Sequence, residues 1–192
     1  MTYLLLASIL AAVIVVWMRR DKLDQIGEVK FKLWWVIPII ALGQGLTVRF
    51  LYAPHRFTLW HPRPLIMIGS YILLWAVVCL NCHLAGMWWV LTGVTLNLLV
   101  IAANGGYMPM PPQALARIGA GQAAFQWAAG TVIRGSKDVL LPSQQAIFWM
   151  LGDILIIPEP FPWPTAMSIG DVILAVGIFL FIQRTSKARR SI

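Results

Sequence analysis

Two apolar runs, Pro64–Cys82 (PLIMIGSYILLWAVVCLNC) and Met87–Ala103 (MWWVLTGVTLNLLVIAA), are separated only by His83-Leu84-Ala85-Gly86. Neither run carries a charge. A run of this length and apolarity matches the thickness of a bilayer's hydrocarbon core, about 30 Å, when it is helical. A four-residue link leaves room for little except an antiparallel return. The pair therefore reads as a helical hairpin crossing a membrane.

The rest of the chain has the same character. It has 192 residues, 59% of them apolar and 11% charged, with a mean hydropathy of +0.77. Soluble domains carry about 25% charged residues, which excludes a disordered or fibrous chain and argues against a soluble globular enzyme. Two cysteines exclude a disulfide framework. Three more apolar runs follow, which gives five spans: about 3–18, 33–52, 64–82, 87–103 and 167–183. The fold class expected is all-α, a polytopic membrane helix bundle forming a single integral membrane domain over residues 1–192. In the second run, Pro38 and the pair Gly43 and Gly45 predict a kink or a close helix approach.

Net charge is +8, but the basic residues cluster beside the spans, as lipid-facing topology signals do. Nucleic-acid binding is not expected. With the linker after the first run and the C-terminal tail on one side, that side holds Arg19, Arg20, Lys22, Lys30, Lys32, Arg184, Lys187, Arg189 and Arg190. The other holds Arg49, Arg56, Arg63, Arg117, Arg134 and Lys137, a bias of nine to six. The positive-inside rule then places the N-terminus outside and the C-terminus in the cytoplasm. No charge precedes the first apolar run, so it reads as an uncleaved span rather than a signal peptide.

Residues 104–166 form an external cap. The Ala-rich stretch 114–133, with Gln122 and Gln126 on one face, predicts an interfacial helix. The 12-residue run 146–157 is too short to span and predicts a re-entrant or interfacial helix. Pro158, Pro160, Pro162 and Pro164, at alternate positions, predict an extended strut into the last span.

Three constellations carry chemistry. Cys79-Leu80-Asn81-Cys82-His83 matches the attachment signature of c-type haem. The predicted topology, however, puts Cys79, Cys82 and His83 on the inner face, and small apolar Cys is common in such helices. His55 and His61 flank a basic, aromatic loop whose Arg56, Trp60, His61 and Arg63 are expected to meet lipid head groups rather than a metal. Asn97, Asn104, Gly105, Gly106, Asp153, Ser168 and Asp171 make a polar cluster at one predicted depth. Ser168 and Asp171 fit a capping box. Asp153 interrupts an apolar run and needs a partner, for which Asn104, Arg134 and the amides of the Asn104-Gly105-Gly106 turn are candidates.

Asn104-Gly-Gly-Tyr-Met-Pro109, Gly152-Asp153 before a proline-rich stretch, and Ser168-Ile-Gly-Asp171 resemble the pattern of an uncharacterised membrane family, domain of unknown function 5317. The resemblance covers most of the chain and is strongest from about Asn81 onward. It implies a bacterial multi-pass protein of the plasma membrane and brings no activity with it. Cys82-His83 stands where that pattern has basic residues, and the 119–138 stretch is longer than in it.

No catalytic set, phosphate loop or metal spacing is present, and no cofactor is expected. The leading expectation is a non-catalytic membrane protein, an accessory or scaffold subunit whose cap binds membrane lipids or partner subunits of a membrane complex. The alternatives are a small transporter or lipid-handling protein with a polar site at Asp153, and a redox subunit with haem at Cys79/Cys82/His83.

Overall fold

The computed structural model describes residues 2–21, 24–51 and 61–187. Five long helices dominate it: α1 (Thr2–Met18), α3 (Val36–Phe50), α4 (Pro62–Leu80), α5 (Met87–Ala103) and α7 (Ile169–Thr185), with a single turn, α2 (Asp24–Gly27), in the first linker. Each long helix falls on one of the five apolar runs. One of them, Pro62–Leu80, is by itself long and apolar enough to cross a membrane, while Leu4–Met18, Val36–Phe50 and Met87–Ala103 are apolar but shorter.

Helix α4 joins α5 to α3, and helix α7 packs between α1 and α5. It runs parallel to α1, where Ser8 Oγ donates to the Ala175 carbonyl at 2.7 Å and Gln183 Nε2 donates to the Ala12 carbonyl at 2.8 Å. It runs antiparallel to α5 along a seam of small residues. A Cβ on Gly93 would stand 2.5 Å from the Gly170 carbonyl oxygen, and one on Gly177 would stand 2.6 Å from the Val90 nitrogen. Only glycine allows backbones this close, and in an apolar solvent such contact is the main source of helix association. The close approach expected of Gly43 and Gly45 on α3 does not occur, since nothing lies within 4 Å of a Cβ at either.

The two ends of the bundle are tied differently. At one end Arg19 Nη1 donates to Gln183 Oε1 at 3.0 Å, and Asn81, the residue closing α4, holds the first linker. Its side chain accepts from the Lys32 amide at 2.8 Å and donates to the Lys32 carbonyl at 3.0 Å. At the other end Asn104, which closes α5, holds Ile147 in the same way. It accepts from the Ile147 amide at 3.0 Å and donates to the Ile147 carbonyl at 2.8 Å. Both asparagines also donate to the carbonyl four residues back, that of Val77 and of Val100. Each amide thus satisfies an orphan helix carbonyl and anchors a distant segment.

The cap is not helical as expected, so the chain is mostly helical rather than all-α. It contains a parallel pair, β1 (Met108–Met110) with β2 (Asp138–Leu140), and an antiparallel pair, β3 (Leu155–Ile157) with β4 (Thr165–Met167). The Ala-rich stretch breaks into a short α6 (Pro112–Leu115), a wide turn over Ala116–Ala120 and a tight one over Gly121–Phe125, because Gly119 and Gly121 take positive φ. The 146–157 run has one tight turn, Trp149–Leu151, and then becomes β3. The proline stretch is the loop of the β3–β4 hairpin rather than a strut, since Ile157 pairs with Thr165 across it.

Candidate functional site

The cap closes over the ends of α3 and α4, and a cavity of about 530 Å³ remains between them. Val48 and Gln44 of α3 and Met67 and Tyr71 of α4 wall it from the bundle, while Leu115, Ile133, Lys137, Asp138 and Asp153 wall it from the cap. Most of the lining is apolar. Its charged groups come from one corner of the cap.

That corner is built by the short sheets. Strand β1 leaves the Asn104-Gly105-Gly106 turn, which is pressed against the start of α4. Gly106 has φ +89°, and a Cβ there would meet Pro64 at 2.5 Å. The Pro109 carbonyl of β1 then accepts from the Asp153 amide at 3.0 Å. Gly152 permits that approach, since a Cβ on it would lie 2.5 Å from the same oxygen. On the other side of β1, the Met108 amide donates to the Lys137 carbonyl at 3.1 Å. Lys137 and Asp153 are therefore delivered to one place from either side of a three-residue strand.

They form an ion pair, Lys137 Nζ to Asp153 Oδ2 at 3.7 Å, with side-chain exposures of 14% and 3%. Asn104, Arg134 and the glycine-turn amides are not the partners of Asp153. The separation is longer than a hydrogen bond. Burial pushes the Asp153 carboxyl well above its ordinary 3.8, with Asp138 and Asp171 adding to the push and Lys137 opposing it. Burial alone lowers Lys137, yet Asp153, Tyr71, Asp171 and Asp138 together hold it well above its ordinary 10.5. Lys137 keeps its ammonium, and above its raised folded value Asp153 faces it as a carboxylate.

The polar cluster read from sequence divides into three separate features. Asn97, Ser168 and Asp171 meet inside the bundle. Ser168 Oγ accepts from the Asp171 amide at 3.0 Å and donates to Asn97 Oδ1 at 2.8 Å, and Asn97 Nδ2 donates to Asp171 Oδ1 at 2.6 Å. The Ser168–Asp171 capping box is complete. This ring joins α5 to the start of α7. Asn104, with Gly105 and Gly106, belongs to the loop clasp, and Asp153 to the cavity.

Arg63, expected at lipid head groups, is turned inward and is 3% exposed. Its guanidinium donates to the Leu51 carbonyl at 3.3 Å and the Ser136 carbonyl at 2.5 Å, and it stands 5.7 Å from the centre of the Tyr107 ring. The Ser136 carbonyl belongs to the cap and the Leu51 carbonyl closes α3, so this cation ties α4 to both. His61 is half-buried and caps α4 by accepting from the Arg63 amide at 3.3 Å. His55, Arg56 and Trp60 lie outside the described residues. Cys79 and Cys82 are free, half-buried thiols. Cys82 Sγ donates to the Val78 carbonyl at 3.4 Å, an ordinary helical contact, and His83 is exposed on the turn to α5.

Fold and site together define a helical bundle with a small mixed cap and an amphipathic cavity at their junction. The chain belongs to the family of unknown function DUF5317, whose model matches residues 28–183. No curated protein and no solved structure matches it.

Proposed function

We propose that the chain is a non-catalytic, multi-pass protein of a bacterial plasma membrane that holds one lipid or lipid-like amphiphile in the cavity beneath its outer cap. The observation that carries this reading is the cavity wall, mostly apolar and charged only at one corner of the cap. An acyl chain and a polar head call for that division.

The membrane setting is supported by what the bundle exposes. Leu6, Leu10, Ile39, Leu42, Leu73 and Leu99 are 47% to 63% exposed along α1, α3, α4 and α5, while Asp171, Asn97 and Arg63 are at most 3% exposed. In water that distribution is inverted; in hydrocarbon it is the expected one. Trp17, Trp34, Trp35, Trp88 and Trp89 are exposed near helix ends, which suits anchoring at an interface. Arg19, Arg20, Lys30, Lys32, Arg184 and Lys187 all lie at the end of the bundle away from the cap, which supports a cytoplasmic C-terminus and an outer cap.

A second reading rests on Phe148, Trp149 and Met150, which are 46% to 58% exposed on the cap. A partner subunit docking there would make the protein the accessory member of a membrane complex.

Gly45 lines the cavity and nothing lies within 4 Å of where its Cβ would project, so Gly45→Leu is the substitution chosen to narrow the cavity. Native mass spectrometry after mild extraction tests the lipid reading. Wild type should carry a bound amphiphile that Gly45→Leu lacks at an unchanged melting temperature. Equal lipid on both proteins would overturn it.

A further inference from the structure

The charged corner of the cavity presents three polar atoms that meet no hydrogen-bonding protein group among the described residues: Lys137 Nζ, Asp153 Oδ1 and Asp138 Oδ1. Each is buried. The second oxygen of each carboxylate is already engaged. Asp138 Oδ2 accepts from Ser136 Oγ at 2.5 Å, and Asp153 Oδ2 faces Lys137. What remains is a donor and two acceptors on three residues that line one corner of the cavity.

Buried polar atoms are hydrogen-bonded in nearly all native structures, and an orphan is costly. A ligand head that fits must therefore accept from the ammonium and donate to the carboxylates. A phosphate or carboxylate only accepts. It would leave both Oδ1 atoms bare and stand against Asp138 and Asp153. An ammonium only donates, so it would leave Nζ bare and stand against Lys137. A choline head donates nothing. A hydroxyl does both at once and brings no net charge into a buried site. Two hydroxyls bring two donors and their acceptor lone pairs, enough in number for the ammonium and both carboxylates.

We infer that the cavity selects an amphiphile with a polyhydroxyl head, of the glycerol or sugar-lipid class, through hydroxyl bridges between Lys137 and the Asp138 and Asp153 carboxylates. This rests on the proposed lipid-binding role and adds the chemistry of the head.

The test uses the full chain in phosphatidylcholine nanodiscs, whose head groups carry no donor. Four probes share one twelve-carbon chain: monolauroylglycerol, dodecylphosphocholine, dodecanoate and dodecylamine. Retention is read by native mass spectrometry. Monolauroylglycerol should be retained about tenfold better than any of the others, the effect of leaving one buried polar group unpaired. The paired variant Lys137→Met/Asp153→Leu removes both members of the ion pair together and leaves only Asp138 of the three charged groups. It should still retain the chain but lose the preference for glycerol. Equal retention of all four probes by wild type overturns the inference and leaves the lipid-binding role standing. A preference that survives in the paired variant overturns it as well. Retention of none by wild type overturns the lipid-binding role itself.

Discussion

Asn97 and Asp171 stand 74 positions apart in the chain and meet at 2.6 Å in the middle of the bundle, with Ser168 completing the ring. The contact joins the hairpin helix α5 to the helix that emerges from the cap. It closes a set of donors and acceptors that would otherwise be stranded away from water. Asn97→Ala leaves the Ser168 hydroxyl and one Asp171 oxygen without their partner. We predict a loss of about 1–3 kcal/mol, read as a lower melting temperature in detergent. Asp171→Asn should cost less, because an amide oxygen still accepts from Asn97.

Glycine substitutions should separate by position. On α5 and α7, Gly93→Ala and Gly177→Ala push a methyl into the backbone of the facing helix, and each should lower stability by more than about 1 kcal/mol. On α3, Gly43→Ala meets open space. It should leave stability unchanged or raise it by about 0.5–1 kcal/mol, the usual benefit of replacing glycine within a helix. Thermal unfolding of the three variants side by side checks the ordering.

The buried ion pair gives a double-mutant prediction. Lys137→Met alone strands the Asp153 carboxyl and should cost about 3 kcal/mol. Lys137→Met/Asp153→Leu should recover most of that loss, since a buried pair replaced by apolar groups is often neutral. Additive losses in the cycle would show that the two residues act independently.

The same pair sets a pH dependence. Asp153 holds its proton more tightly in the folded protein than at its ordinary 3.8. The stability this supplies is complete below that value and is lost as pH rises through the folded value. Lys137, raised above 10.5, stays charged across that window and contributes no slope. Melting temperatures of wild type should therefore fall relative to those of Asp153→Asn as pH rises from about 4 toward neutral. A difference that stays flat with pH would contradict this.

Asn104→Ala removes the clasp on Ile147. Hydrogen exchange should then rise across residues 146–151, where Phe148 holds a positive φ of 55°, while α5 itself stays protected.

The sequence was most legible where apolar length and local chemistry decide the structure. The five helices follow from long apolar runs, and the Ser168–Asp171 capping box follows from two residues three apart. The cap was illegible because its strands are three residues long and β1 includes Pro109, which no strand pattern favours. β1 pairs with β2 some 30 positions later, beyond any periodicity. Lys137 as the partner of Asp153 was missed for the same reason: it depends on which residues β1 separates. The α5–α7 seam was hidden because Gly93, Gly170 and Gly177 lie on two helices far apart in sequence, whereas Gly43 and Gly45, two positions apart, drew the expectation to α3. Arg63 looked like an interfacial cation because nothing local shows that Ser136 supplies its acceptor.

The central claim is that this bundle lies in a membrane with its cap outside, and cysteine accessibility tests it most directly. In a Cys79→Ala/Cys82→Ala background, single cysteines replace Gln144 on the cap and Lys187 beyond α7, both exposed positions. An impermeant maleimide applied to intact cells should label the cysteine at Gln144, and should label the one at Lys187 only after permeabilisation. Labelling of Lys187→Cys in intact cells with Gln144→Cys protected, or recovery of both proteins in the supernatant without detergent, would contradict the account.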